Sequence, residues 1–175
     1  IEPSDALSGY ELTVQTYESG KASYTRARRK GVIHIYPDGT KFTIGKGIVL
    51  REGDDIGIVA TGDILVPAAI EAAKNLEAKG IKATVVDLHT IKPLDTGLLE
   101  QVSTRCKKIL VCENGRYAGG IGEAVAAHLA KTVPAKMDFL NVGERFGEGG
   151  KLPYLAETFG MTPARVEELA EKLVK

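Results

Sequence analysis

Residues Val85–Val125 read VVDLHTIKPLDTGLLEQVSTRCKKILVCENGRYAGGIGEAV, and this stretch decides the fold. An apolar run closes at His89, a turn containing Pro93 follows, and Asp95 stands where a helix N-cap belongs. The helix that it opens is predicted to run through Arg105. A second apolar run, Ile109–Cys112, leads into the loop Gly119-Gly120-Ile121-Gly122 and a helix predicted over Gly122–Lys131. Strands alternating with helices of 10–15 residues build a parallel sheet through crossover connections.

The same alternation extends outward. Ile56–Ala60 and Ile81–Leu88 read as buried strands, and Met137–Val142 as a last one. Val66–Lys79 carries Ala69, Ile70, Ala73 and Leu76 on one helical face, and Gly80 ends it. Thr162-Pro163 opens a final helix as N-cap and first residue, with Val166, Leu169 and Leu173 facing inward. Nearer the start, Ser4–Glu18 has Leu7, Tyr10, Val14 and Tyr17 at helical spacing, with Ser4 as N-cap. Ala22–Arg26 reads as a short strand. Val32–Tyr36 and Phe42–Leu50 flank the turn signal Pro37-Asp38-Gly39, which predicts a hairpin or connecting ribbon. The fold class expected is α/β, with a mostly parallel, doubly wound sheet.

Composition narrows the function. Lys+Arg and Asp+Glu are 23 each and charged residues make up 26% of the 175. A balanced net charge argues against a chain that holds nucleic acid or an anionic membrane by long-range attraction. No apolar run approaches the ~20 residues that span a bilayer, and no signal-peptide pattern opens the chain. Cys106 and Cys112 are too few for a disulfide scaffold and read as small buried side chains in a reducing, cytoplasmic setting.

Three features carry possible chemistry. The loop Gly119–Gly122 precedes a helix, whose free N–H groups suit phosphate, yet it lacks the G-x-G-x-x-G and P-loop spacings and reads rather as a tight turn with close packing at a domain or subunit contact. The basic run Arg26-Ala27-Arg28-Arg29-Lys30 is the best anion-binding candidate, against a solvated loop as the alternative. His89 follows the strand Val85–Leu88 at a carboxyl end, where open α/β sheets place ligands, although a lone His is more often a packing residue. His34 and His128 lack an obvious acidic or Cys partner and read as structural; neither metal-ligand spacing nor a Ser/His/Asp arrangement is evident.

The two motifs Thr90–Asp95 (TIKPLD) and Gly119–Val125 (GGIGEAV), in this order, resemble the C-terminal domain of the thiamine diphosphate-dependent transketolase family residue for residue. Phe42–Asp55 resembles the entry into that domain, and Phe146–Lys151 (FGEGGK) the turn before its last helices. Tyr24–Arg29 and Ile1–Ala6 resemble the end of the preceding domain, which binds the cofactor's aminopyrimidine ring. The resemblance therefore implies residues 1–40 as the incomplete end of that pyrimidine-binding domain and 41–175 as the C-terminal domain. The chain begins without Met in what resembles the middle of a domain, which implies a missing upstream section or subunit.

The resemblance also implies roles. Arg26 and Arg29 match the family's Arg-x-x-Arg, whose second Arg binds the substrate's phosphate; Arg28 departs from the usual small residue or Pro between them. At the position of His89, the deoxyxylulose-phosphate synthases have a phosphate-contacting Arg. The catalytic Glu and the Gly-Asp-Gly…Asn segment that holds magnesium and diphosphate have no counterpart here, and Glu113 does not match that Glu. The expectation is a dimeric enzyme that transfers a two-carbon ketol unit between sugar phosphates, with thiamine diphosphate and Mg held by the upstream section, no catalytic residue on this chain, and no activity by this chain alone. Alternatives are part of a deoxyxylulose-phosphate synthase, a 2-oxoacid dehydrogenase β subunit, or a non-catalytic interaction or regulatory domain.

Overall fold

The computed structural model of the chain describes residues 1–29, 31 and 33–175. At its centre stands a sheet of β1 (Ile48–Arg51), β2 (Ile56–Ala60), β3 (Ala83–Asp87), β4 (Lys108–Cys112) and β5 (Lys136–Leu140). The strand order is β1-β3-β2-β4-β5. β2 pairs in parallel with both β3 and β4, β4 pairs in parallel with β5, and β1 lies antiparallel on the β3 edge.

Alternation along the strands explains the double winding. Ile56, Ile58, Ala60, Val85, Leu110 and Cys112 pack on one face against α2 (Gly62–Ala78) and α6 (Pro163–Val174). Val59, Val86, Ile109 and Val111 pack on the other against α3 (Thr96–Cys106) and α4 (Ile121–Leu129). Side chains of a strand alternate between faces, so apolar residues at every position require a helix layer on both sides. Full burial of one such Leu, Ile or Val side chain contributes roughly 1.5–3 kcal/mol. Asp95 caps α3 by accepting from Leu98 N–H, and Thr162 caps α6 by accepting from Arg165 N–H, as their spacing predicts. Cys106 and Cys112 are both buried, and burial pushes both thiols up.

The first third of the chain differs from its sequence reading. α1 spans Ala6–Glu18 and its cap is Asp5, reciprocated by Ser8, not Ser4. Ser4 turns its hydroxyl to Asp87 instead. Tyr10 and Tyr17 are 67% and 88% exposed, whereas Leu12 and Ser8 are buried. Spacing defines a stripe but not which stripe meets the core; here a face turned toward Ser8 and Leu12, with only Leu7 of the expected stripe, meets Tyr36 and Phe42 in a small separate cluster. No hairpin forms among the described residues. Ile35 and Tyr36 donate their N–H groups to the Asp5 carboxylate, which takes the place of a partner strand. Val32, the start of that predicted strand, and Lys30 lie outside the described residues. The turn at Pro37 does form, closed by Thr40 N–H on the Pro37 carbonyl, but only Ile48–Arg51 of the second arm enters the sheet. Ala22–Arg26 belongs to no strand.

Elsewhere the differences concern element bounds. α2 starts at Gly62, one turn before the predicted Val66, and carries Pro67 inside it. α5 (Leu152–Phe159) follows the FGEGGK turn and ends at Gly160, which takes φ 68.

Candidate functional site

Parallel sheets gather ligands outside the carboxyl ends of the strands, where the winding reverses. Here β2 is followed by β3 on one side and flanked by β4 on the other, so the reversal lies between β2 and β4. A cleft of about 1040 Å³ opens at this end, with Glu2, Arg26, Thr61, Lys92, Glu113 and Gly120 among its lining residues.

On the β4 side, the Gly-rich loop is already filled. Glu113 leaves β4 and its two carboxylate oxygens accept from the N–H groups of Ile121 (2.8 Å) and Gly122 (2.9 Å). The chain thereby supplies its own anion to the start of α4, where helix N–H groups and the dipole favour one. The glycines make room for it: a Cβ on Gly120 or Gly115 would come within 2.5 Å or 2.8 Å of this carboxylate. Burial raises the Glu113 carboxyl above its usual range, against the pull of the two backbone donors. Sequence reasoning favoured a tight turn over a phosphate cradle and gave Glu113 no part in it. The one signal was an acidic residue at the end of an apolar strand shortly before a helix start.

On the β2 side stands Arg26. Its Nη2 donates to both carboxylate oxygens of Glu2, at 2.7 Å each. Arg28 pairs through Nε with Asp63 of α2 at 2.7 Å. The extended segment around Tyr24 is held by the Arg26 N–H on the Ile1 carbonyl, 3.0 Å. Arg29 is exposed and lies outside the lining of the cleft. The structure thus places Arg26, but not Arg29, at the cleft.

His89 is wholly buried behind Phe42, whose ring meets the imidazole edge-on at 5.7 Å. Its Nδ1 is 3.1 Å from Thr90 Oγ1, and burial lowers its pKa to about 4. The imidazole is neutral near pH 7 and does not line the cleft. Beneath it, Asp87 Oδ2 accepts from Tyr36 (2.6 Å) and Ser4, and burial raises that carboxyl to about 6. Burial also pushes Asp5 up, but hydrogen bonds from Ser8, Ile35 and Tyr36 outweigh it and leave the carboxyl low. His34 is exposed outside any strand. His128 does have an acidic neighbour, since the packing of α3 on α4 brings Glu100 Oε1 within 2.8 Å of its Nε2.

The donor set does not fit the diphosphate of thiamine diphosphate. The helix start that the loop offers is occupied by Glu113, and among the described residues no cluster of three or more His, Cys, Asp or Glu is arranged to hold a metal ion. Among the described residues, too, no helix is long and apolar enough to cross a membrane.

Residues 45–166 match the family described as transketolase, C-terminal domain. The 6-deoxy-6-sulfo-D-fructose transketolase subunit SqwH of Clostridium sp. (strain MSTE9) is 35% identical over 174 residues, which cover 99% of this chain and 54% of that protein. A 1-deoxy-D-xylulose-5-phosphate synthase of Chlorobium luteolum is 38% identical over 133 residues, 75% of this chain and 21% of that one. A solved split-gene transketolase, described as an inactive beta4 tetramer, matches with a TM-score of 0.93 at 34% identity, over 98% of this chain and 56% of that one. The Pichia stipitis transketolase complex with sedoheptulose-7-phosphate matches with a TM-score of 0.53 at 32% identity, over 74% of this chain and 18% of that one. The chain spans about half the length of the two relatives that it matches almost throughout.

Proposed function

The chain belongs to the transketolase family through its C-terminal domain, and from this premise we propose that it is the C-terminal part of an enzyme that transfers a two-carbon ketol unit between sugar phosphates. Residues 1–40 are read as the end of a pyrimidine-binding domain and 41–175 as the C-terminal domain, in keeping with a family match that begins at residue 45. The section or subunit upstream carries the thiamine diphosphate and magnesium site. Thiamine diphosphate supplies the electron sink for the chemistry. This chain's own residues hold the phosphorylated end of the sugar and form contacts across a two-fold dimer, with no activity of their own. The Gly-rich loop and α4 are candidates for the dimer contact, since closed two-fold dimers are the commonest soluble oligomers.

The observation that carries the reading is Arg26: a guanidinium 43% exposed, at the carboxyl ends of the strands, in a cleft that also presents Lys92. Arg29 is proposed as a second contact, reached by a larger substrate or through closure of the segment. His89 joins them only if its cover of Phe42 moves. Relatives named as 1-deoxy-D-xylulose-5-phosphate synthases keep that chemistry as the second reading. The test is Arg26→Ala and Arg29→Ala in the assembled enzyme, assayed on a phosphorylated and a non-phosphorylated acceptor. Arg26→Ala is expected to lower kcat/KM for the phosphorylated acceptor about ten- to a hundredfold and to spare the other. Equal losses on both acceptors assign Arg26 to folding, and no loss on either removes it from the site.

A further inference from the structure

The Arg26 side chain presents five N–H donors, yet among the described residues only one of its guanidinium nitrogens is engaged. Nη2 is shared between both oxygens of Glu2, and among the described residues Nε and Nη1 have no hydrogen-bond partner. A guanidinium that used a fork on Glu2 would face the carboxylate with two nitrogens; here Nη2 alone meets it, and Nε–H and Nη1–H, which diverge, remain as single donors. We propose that Glu2 is a positioning residue: it fixes Arg26 by Nη2 so that Nη1 can donate to a phosphate monoester. The proposal rests on the reading of Arg26 as a phosphate contact.

Glu2 is built to stay in place. Its side chain is 11% exposed, against 43% for that of Arg26. Its N–H donates to the His89 carbonyl at 2.9 Å. Its side chain lies on Gly62 at the start of α2, where an added Cβ would come within 2.5 Å of Oε1. Gly62 takes φ 74, a left-handed conformation that also favours glycine. The ion pair between Arg28 and Asp63 fastens the neighbouring residue to the same helix start. The anchored partner is therefore the acid, and the more open partner is the base. Of the other charged side chains lining the cleft, Lys21 and Lys92 are exposed, Arg116 is paired with Glu144 and Glu113 is held by α4, so a phosphate dianion meets positive charge beyond Arg26.

The geometry also defines the opposite case, in which Glu2 competes with phosphate for Arg26. The two differ in sign. In the assembled enzyme, KM and kcat are measured for a phosphorylated aldose acceptor and for its non-phosphorylated counterpart. Positioning predicts that Glu2→Ala raises KM for the phosphorylated acceptor about tenfold, leaves kcat within about twofold, and spares the other acceptor. Glu2→Gln, which keeps one acceptor oxygen and the shape, should raise it only about threefold. Glu2→Ala added to Arg26→Ala should cost nothing further, because the two act as a unit. A lower KM in Glu2→Ala, independent effects in the double variant, or equal losses on both acceptors would each overturn the proposal. If Arg26→Ala harms phosphorylated acceptors and the Glu2 variants do not, the positioning role alone fails. If Arg26→Ala leaves them untouched, the phosphate reading fails and this inference with it.

Discussion

Two carboxylates flank the reversal of the sheet, and each sits at the start of a helix. Glu113 is 5% exposed and both its oxygens are bound by backbone N–H groups of α4. Glu2 lies at the start of α2, and both its oxygens face a half-exposed Arg26. The first carboxylate is consumed within the chain's own backbone, and little there is left for a ligand. The second is coupled to a side chain that keeps unused donors toward a cleft. An acid at a helix start is thus structural or functional according to what holds it.

The largest expected effect breaks the closed side. Glu113→Ala leaves two buried N–H groups without an acceptor and opens space under the glycines, which should cost about 3 kcal/mol. Chemical denaturation measures it, and a loss as small as that of a typical surface substitution would mean that water replaces the carboxylate.

The second prediction concerns the Asp87–His89 segment, which carries Glu2 through the His89 carbonyl. Asp87 is raised from 3.8 to about 6, so between these values the folded state binds more protons than the unfolded one, and stability falls as pH rises. His89 is lowered from 6.5 to about 4, so there the unfolded state binds more protons, and stability rises with pH. The two slopes oppose each other over nearly the same window, each worth on the order of 3 kcal/mol. The neighbouring acids Asp5 and Glu2 face Asp87, and Asp95 faces His89. Between pH 4 and 6.5 the native chain should show a shallow dependence. Asp87→Asn should leave stability rising with pH and His89→Gln should leave it falling. Parallel slopes in the two variants would contradict the assignment.

The smallest effect lies on the open outer surface. Tyr17→Asp on α1 should change the stability of this fold by no more than about 0.5 kcal/mol, since the ring is 88% exposed. Loss of association in the assembled enzyme, read by light scattering, would show that this face docks another copy or the upstream section.

How much of this was legible follows the same division. The parallel sheet could be read because apolar strands and capped helices alternate from Ile56 onward, and Asp95 and Thr162 cap where spacing places them. Before Phe42 the helix and the Pro37 turn were legible, but the packing of the segment was not, because its order comes from distant carboxylates: Asp5 takes the N–H groups of Ile35 and Tyr36, and Asp87 takes Ser4 and Tyr36. Such bonds join residues ~30 to 80 positions apart and leave no local period. The site was legible in kind, as a basic run near strand ends. Which Arg reaches the cleft depends on how the segment is tied to Ile1, Glu2 and the start of α2, and that was invisible in the spacing of Arg26 and Arg29.

The most direct test of the central claim is reconstitution. The chain and the upstream section with the thiamine diphosphate site are purified separately, and ketol transfer between sugar phosphates is assayed for each alone and for the mixture. The account predicts activity only in the mixture, together with a stable complex of the two. Ketol transfer by this chain alone, or a stable cofactor-loaded complex without it, would contradict the account.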